Sequence, residues 1–403
     1  MEHSFFYYFS SIFIPLVVVS ILITGPLLGW ENMSSSSPLK WGNIETTLGS
    51  SRSSSPLKIF VMVGQSNTEG HGYIDRTNET DGRFLNGSLE WMVEKDPDTY
   101  GKLKTYDENG DSVWRERSDV MITYNRQGIN NIRPQWNKHG PLVAGYGFSD
   151  KEMGPELGFG WTVGDALGDT EQEPDQPNIL LLKVAWGGRS LAVNFRPPSS
   201  GGTTGLFYEA MLANVYKTLA NLPKLVPGYT IDRGYEIAGF AWHQGWNDGC
   251  DLNMTKEYES NLANLIRDIR SDLDVPDLPV SIGVSGMNGW HPGAFGGRRT
   301  DIIEAQLAVS DANKYPEFAG TVASVETRDF YRTVPESPGD QIYHWNNNCE
   351  SYWLVGQAMG IAMVKLLRDK GKKHIISSSI GNENHKKSSS KLRNIRKHSN
   401  ETG

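Results

Sequence analysis

One stretch decides the fold, and it reads Lys58-Ile59-Phe60-Val61-Met62-Val63-Gly64-Gln65-Ser66-Asn67. It begins as a short apolar run rich in β-branched and aromatic residues, which predicts a buried strand. The run breaks at Gly64, and small polar residues follow. A hydroxyl just past a central strand lies at the carboxyl edge of a sheet, where open α/β folds bind ligands. Ser66 is therefore a candidate nucleophile, and the alternative is a polar turn in which Ser66 caps the next segment.

Further runs of strand length follow, at residues 178–184, 237–242, 278–284 and 320–325. Helical patterns separate them, at residues 154–167, 206–222, 256–273, 301–313 and 350–368. This alternation predicts an α/β fold in which a doubly wound, parallel five-stranded sheet is flanked by helices. Residues 70–154 show no sustained helical or alternating pattern, so we expect a long irregular insertion there.

The chain of 403 residues carries a net charge of −8, which argues against a general nucleic-acid binder. Residues 5–30 are almost wholly apolar and uncharged, so residues 1–30 are expected to form a signal peptide or a membrane anchor. A Ser-rich linker over 31–56, a globular domain over 57–370 and a basic, disordered tail over 371–403 complete the predicted organisation.

The N-terminal segment predicts entry into the secretory pathway, with the globular domain lumenal or extracellular. Acceptor triplets for N-glycosylation agree with this expectation, at Asn32, Asn78, Asn86, Asn253 and Asn400. Whether the apolar segment is cleaved or retained stays open.

Unusual polar loops follow four of the predicted elements, namely Ser66-Asn67, Gly187-Gly188, Gly245-Trp246-Asn247-Asp248 and residues 340–348. In a parallel sheet these loops meet at one edge. Ester hydrolysis needs a nucleophile, a base and donors for the developing oxyanion. Ser66 and His344 supply the first two, while the Gly188 N–H and the Asn247 amide supply donors.

These ordered blocks resemble those of SGNH hydrolases, and more narrowly the sialate O-acetylesterase and acetylxylan esterase branch, carbohydrate esterase family six. Residues 154–160 and 344–348 also look like that branch. The resemblance covers residues 59–367 and implies an SGNH/flavodoxin-like three-layer sandwich that needs no cofactor or metal. It implies Ser66 as nucleophile, His344 as base, and an oxyanion hole from the Ser66 N–H, a Gly187 or Gly188 N–H and Asn247.

The sequence departs from that family at the acid of the triad. SGNH enzymes usually carry Asp three residues before the histidine, and Gln341 stands there. Asp340 is the first candidate for the acid and Asp248 the second. Related esterases often have Glu where this chain has Trp246. An inactive, carbohydrate-binding pseudoenzyme and an SGNH lipase or thioesterase are therefore the rival functions to a carbohydrate O-acetylesterase.

The remaining polar and aromatic residues of these loops are expected to contact an acetylated carbohydrate, and they are Gln65, Asn67, Gln244, Arg189 and Trp246. For Arg189 the alternative is a structural ion pair, and for Trp246 it is core packing. His71 is expected to be an ordinary loop residue rather than a ligand. His243 is expected to pack beside the site.

The two cysteines of the chain lie near two predicted site residues. Cys250 follows Asn247 by three positions, and Cys349 follows His344 by five. If Asn247 and His344 face one site, the two thiols are close enough to bridge. In an oxidising compartment this predicts a Cys250–Cys349 disulfide.

Overall fold

The computed structural model describes residues 55–78, 80–126, 136–168, 176–291 and 297–371. Segment 1–30, nearly all of linker 31–56 and nearly all of tail 371–403 lie outside these residues. The expectations about them therefore stay predictions. Within the described ranges, no helix combines the length and apolar character needed to cross a bilayer.

The strands of the described residues are β1 (Leu57–Gly64), β2 (Gly72–Tyr73), β3 (Lys104–Tyr106), β4 (Ser112–Trp114), β5 (Arg117–Arg126), β6 (Trp136–Leu142), β7 (Glu152–Met153), β8 (Ile179–Ala185), β9 (Tyr235–His243), β10 (Val280–Gly283) and β11 (Val322–Val325). The α-helices are α1 (Ser66–Glu69), α2 (Leu89–Lys95), α3 (Pro97–Tyr100), α4 (Pro155–Leu167), α5 (Leu206–Leu219), α6 (Leu222–Leu225), α7 (Leu252–Asp272), α8 (Arg298–Ala308) and α9 (residues 349–371).

A seven-stranded sheet has the order β11-β10-β9-β1-β8-β5-β6. Every neighbouring pair is parallel except the pair β5–β6 at one edge. The five predicted strands are therefore present, in the flavodoxin-like order with β1 between β8 and β9. The doubly wound α/β class predicted from the sequence is confirmed. The chain places β8 and β9 on opposite sides of β1, so the end of β1 lies at a topological switch point, where such sheets bind ligands.

Strand β1 is buried on both faces because helices cover both sides of the sheet. Ile59 and Val61 belong to one apolar cluster, together with residues of α5, α7 and α8. Phe60 and Met62 belong to a second cluster on the other face, with residues of α2, α4 and α9. Phe60 meets Phe159 of α4 edge to face, with ring centroids 5.7 Å apart. The apolar run of β1 therefore stabilises all three layers.

The expectation of an irregular insertion over residues 70–154 was wrong, because this region contributes β5 and β6 to the sheet. The buried part of β5 ends in polar residues, Asn125 and Arg126. Arg126 pairs inside the protein with Glu69, with Nη1 3.4 Å from Oε1. A strand whose buried side chains include a paired charge gives no clear alternation in the sequence, which explains why the pattern was missed.

Candidate active site

The candidate site begins where β1 and β9 end side by side. A Cβ at Gly64 would lie 2.2 Å from the carbonyl oxygen of His243, so only glycine permits this approach. Thr68 Oγ1 donates a hydrogen bond to the same carbonyl at 2.8 Å. Ser66, the first residue of α1, is thereby held beside the loop after β9.

Gln65 ties these two strand ends together, and its expected contact with substrate stays a prediction. Its side chain is buried. Oε1 lies 3.2 Å from Gln244 Nε2 and 3.3 Å from the Asn247 backbone N–H, both of which donate to it. The Gln65 amide therefore fixes the loop that carries Asn247 relative to Ser66.

Gln244 and Asp248 are likewise internal braces. Gln244 Nε2 donates to Asp248 Oδ2 at 2.6 Å and to the Arg189 carbonyl oxygen at 2.9 Å. The Asp248 carboxylate accepts the backbone N–H groups of Leu191 and Ala192, each at 2.9 Å. Together they fasten the loop after β8 to the loop after β9. The side chains of Gln244 and Asp248 thus have internal partners. The contact of Gln244 with substrate and the role of Asp248 as triad acid stay predictions.

The electrostatics of this brace follow from its burial. Removal from water raises the pKa of Asp248 to about 6, opposed by its hydrogen bonds from Gln244 and the two N–H groups. Burial also lowers the pKa of the neighbouring His243 to about 4, although Nδ1 contacts the Gly283 carbonyl oxygen at 2.9 Å. His243 is therefore neutral at pH 7 and packs beside the site, as expected.

A strained turn presents His344. Trp345, Asn346 and Asn347 have φ values of 54°, 54° and 61°, three successive left-handed residues without a glycine. Asparagine tolerates this conformation better than most residues, whereas for the fully buried Trp345 it is costly. Asn347 Nδ2 holds the turn by donating to the His71 carbonyl oxygen at 2.9 Å.

Asn67 joins the Ser66 segment to the His344 segment. Its buried Nδ2 donates to the Tyr343 carbonyl oxygen at 2.9 Å. The Tyr352 hydroxyl lies 2.9 Å from Asn67 Oδ1 and 3.3 Å from the His344 carbonyl oxygen. The residue next to Ser66 is thus bonded to the residue next to His344, although the two are distant along the chain. Asn67 makes this link, and its expected contact with substrate stays a prediction.

The His344 ring is oriented by an amide instead of a carboxylate. Nδ1 lies 3.1 Å from Gln341 Oε1. With that oxygen as acceptor, Nδ1 carries the ring proton and Nε2 keeps the lone pair that a general base needs. Asp340 is exposed at the surface of the same turn. Gln341 is therefore the side chain at Nδ1, whereas Asp248 is bonded to Gln244 and to the loop after β8. The choice of Asp340 or Asp248 as the acid stays a prediction.

His71 is the residue that the sequence interpretation missed. Its ring stacks on His344 with centroids 4.0 Å apart and planes 11° apart. Phe148 covers the other face of His71 at 4.9 Å. The only signal in the sequence is a histidine between two glycines, five residues after Ser66. Gly70 has a φ of +90°, and a Cβ there would lie 2.2 Å from Gly154 Cα, so this turn needs glycine.

A pocket of about 550 Å³ opens beside the two stacked rings. Its described lining is mainly polar and includes His71, Tyr73, Asp75, Lys151, Gln341 and His344. Ser66 is not part of this wall. Ser66 is buried, with 7% of its surface exposed, and Asn247 is half-buried. Gly188 is exposed with a φ of +70° and open space around it, whereas Gly187 is buried.

The two other expected substrate contacts have packing roles. Arg189 lies over the Phe207 ring, with Cζ 4.7 Å from its centroid. Trp246 is half-buried between the Tyr343 ring at 5.9 Å and the Arg299 guanidinium at 4.4 Å. These contacts favour the packing alternative for Trp246.

The predicted Cys250–Cys349 disulfide is absent, because both thiols are free. Cys250 is exposed in the turn before α7, where Sγ donates to the Trp246 carbonyl oxygen at 3.4 Å. Cys349 is buried at the start of α9, and its Sγ donates to the Tyr73 carbonyl oxygen at 2.9 Å. Even if Asn247 and His344 face one site, the cysteines that follow them lie in different environments and do not bridge.

An α/β sheet whose carboxyl edge gathers a serine segment, a histidine segment and an amide-bearing loop has the architecture of the SGNH hydrolase class. Residues 56–315 match the family described as carbohydrate esterase, sialic acid-specific acetylesterase, and the chain belongs to that family. The matched range includes Ser66, Gly188 and Asn247 but ends before His344.

Similar proteins carry related descriptions. A protein of Arabidopsis thaliana named "Probable carbohydrate esterase" is 35% identical over 258 residues, which cover 64% of this chain and 77% of that protein. A solved carbohydrate acetylesterase from Xanthomonas citri is 13% identical with a TM-score of 0.45, covering 77% of this chain and 56% of that one. The structure of NanS is 12% identical with a TM-score of 0.44, covering 79% and 99%. At these identities and TM-scores, the solved structures do not indicate the roles of residues in the site.

Proposed function

We propose that the protein hydrolyses acetyl esters on sugar hydroxyls through an acetyl-Ser66 intermediate. The observation that carries this proposal is the hydrogen-bonded link through Asn67, which ties the Ser66 segment to the Tyr343–His344 segment at the switch point of the sheet. Membership of a carbohydrate esterase family supplies the substrate class.

In the proposed reaction His344 Nε2 takes the proton of Ser66 Oγ, which attacks the acetyl carbonyl carbon. The Ser66 N–H, a Gly187 or Gly188 N–H and the Asn247 side-chain amide stabilise the oxyanion. His344 then returns the proton to the departing sugar oxygen. His344 then deprotonates water, which attacks the acetyl carbonyl carbon, and the histidine returns that proton to Ser66 Oγ as acetate leaves.

The pocket beside His344 is the proposed position of the sugar. Its wall offers hydroxyl, carboxylate and ammonium groups, which suit a polyol better than an acyl chain. Lys151 in this wall would suit the carboxylate that a sialate carries, which the acetylated xylose units of a xylan lack. A panel of acetylated sialates, acetylated xylan and p-nitrophenyl esters of increasing chain length tests this choice, and a preference for long chains would favour a lipase or thioesterase.

A non-catalytic carbohydrate-binding function is the second candidate, and the observation that favours it is the neutral Gln341 beside His344. Turnover of p-nitrophenyl acetate separates the two functions. We expect measurable turnover that falls at least about 10³-fold in Ser66→Ala, because the nucleophile is lost. Binding of acetylated sugar without Ser66-dependent turnover would support the non-catalytic function.

We further propose that the protein passes through the secretory pathway. The apolar residues 5–30 support this, as do the exposed acceptors Asn86 and Asn253. Treating protein from a eukaryotic host with an N-glycan-removing amidase should lower its mass, and Asn86→Gln and Asn253→Gln should each remove part of the shift. An unchanged mass would count against the proposal.

A further inference from the structure

The His71 side chain is held in place by a carboxylate as well as by its two ring contacts. His71 Nδ1 lies 3.2 Å from Glu152 Oε1, and Ser149 Oγ donates to the other oxygen of that carboxylate at 2.6 Å. Glu69 Oε2 is 3.9 Å from His71 Nε2, which is too far for a hydrogen bond. His71 Nδ1 is thus at hydrogen-bonding distance from one carboxylate, to which it can donate its N–H.

Further charged groups lie behind the stack. Lys183 is fully buried and donates to Glu156 Oε2 at 2.7 Å and to the Glu69 carbonyl oxygen at 2.7 Å. Among the described residues of this cluster, the three carboxylates of Glu69, Glu152 and Glu156 face the two cations Arg126 and Lys183. Glu152 is the member of this cluster at hydrogen-bonding distance from the histidine stack.

The titratable and charged groups around His344 come from several elements. They are Glu69 of α1, His71, Tyr73 of β2, Asp75, Arg126 of β5, Lys151, Glu152 of β7, Glu156 of α4, Lys183 of β8, Tyr343 and Tyr352 of α9. Burial and the nearby Glu152 raise the pKa of Tyr73, so its hydroxyl stays neutral.

We propose that Glu152, acting through His71, stabilises the positive charge that His344 acquires on taking the Ser66 proton. Both are positioning residues in the proposed reaction, and the inference rests on that function. A neutral amide such as Gln341 orients the imidazole but supplies no charge. A cation is attracted to the face of an aromatic ring. The ring of His71 becomes more electron-rich by donating to Glu152, whose own charge adds Coulomb attraction.

The proton balance of this arrangement is simple. His344 Nε2 gains the proton of Ser66 Oγ, and Nδ1 keeps the proton that it donates to Gln341. His71 keeps its Nδ1 proton throughout, so Glu152 stays ionised. Gln341 is uncharged, so the negative charge comes from Glu152 and acts across the stacked rings of His71 and His344. No proton is transferred along the stack.

The test follows the His344 titration by NMR of its Cε1 proton, assigned by its loss in His344→Asn. A stabilised imidazolium titrates at higher pH, so removing the charge in Glu152→Gln should move the midpoint to lower pH by about 0.5–1 unit. His71→Phe keeps a stacked ring but loses the N–H, and it should shift the midpoint in the same direction. The NMR signal needs no turnover, so it reports even if the proposed function fails.

Kinetics give the second readout. In Glu152→Gln we expect plateau kcat to fall about 10-fold with KM within about twofold, and the acid limb of kcat/KM to move to lower pH. Adding Gln341→Asp should restore most of the lost kcat, because the carboxylate then sits at Nδ1. Glu259→Gln is the matched control, since Glu259 pairs with Lys314 on the surface of α7.

Several results would overturn the inference. A His344 midpoint that stays fixed or rises in Glu152→Gln would show that His71 carries the positive charge, or that Glu152 does not act on His344. A change in KM alone would make Glu152 a substrate contact. Turnover lost in Ser66→Ala together with an unmoved midpoint would reject this inference alone, whereas turnover unaffected by Ser66→Ala would reject the proposed function.

Discussion

The two halves of the candidate site are held by different forces. Around Ser66 and Asn247, buried amide and carboxylate side chains bond to one another and to backbone N–H groups, with Gln65, Gln244 and Asp248 as the main members. Around His344, the backbone is left-handed and the ring is held by stacking on His71.

This difference indicates in which half of the site a substitution costs less stability. In the amide-braced half Gln65, Gln244 and Asp248 depend on one another, and an unpaired buried group costs about 1–3 kcal/mol. In the histidine half the partner of Nδ1 is partly exposed Gln341, which water can replace. Gln341, which stands where related enzymes usually carry aspartate, therefore lies in the half of the site where a substitution costs less stability.

The largest expected effect comes from truncating one amide in each half. Gln244→Ala leaves Asp248, Gln65 and Tyr258 with missing partners, so we expect the free energy of unfolding to fall by roughly 3–5 kcal/mol. Gln341→Ala should lower it by less than about 1 kcal/mol and reduce kcat instead. Urea denaturation of both variants measures this, and equal losses would contradict the comparison.

The next effect concerns the pH dependence of stability in the amide-braced half. The folded-state pKa of Asp248, about 6, lies above the ordinary aspartate value of 3.8. Its contribution to stability is therefore fully present below about pH 3.8 and is lost as the pH rises through about 6, to a total of about 3 kcal/mol. The stability of the protein relative to Asp248→Asn should decline by that order between pH 4 and pH 7.5. Parallel stability curves for the two proteins would reject the assignment.

The smallest effect tests the bridge between the halves. Tyr352→Phe removes the hydroxyl that contacts Asn67 and the His344 carbonyl oxygen, so we expect a loss of about 1–2 kcal/mol in stability. Because the bridge aligns the two segments, kcat should fall about fivefold with KM unchanged. Tyr315→Phe, which loses a bond to Glu259 at a distant surface, is the control. A kcat that is equal in both variants would show that the bridge has no role in alignment.

Much of the fold followed from the apolar runs, because a strand buried on both faces needs consecutive apolar residues, as β1 shows. Strand β5 escaped prediction because its buried end holds Arg126, whose partner Glu69 is 57 residues away. A short stretch of sequence does not show that its charge is neutralised by a residue so far away along the chain.

The site was predictable only in part. Glycines and polar residues after strands marked the loops, and the structure links the Ser66 and His344 segments at the edge where β1 ends. The roles of Gln65, Asn67 and Gln244 could not be read from the sequence, because a buried amide and a substrate-binding amide look alike there. The same holds for the two cysteines, whose separation depends on which way each turn faces.

The sequence by itself determined the α/β architecture, the family and the residues that reach the edge of the sheet, because hydrophobic periodicity and the order of short motifs are local properties. Only the tertiary structure decided which partner each polar group takes. It brought Gln341 and not an aspartate to His344, placed His71 against that ring and turned Asp248 inward, because hydrogen bonds and ring contacts depend on distances that only the folded chain creates.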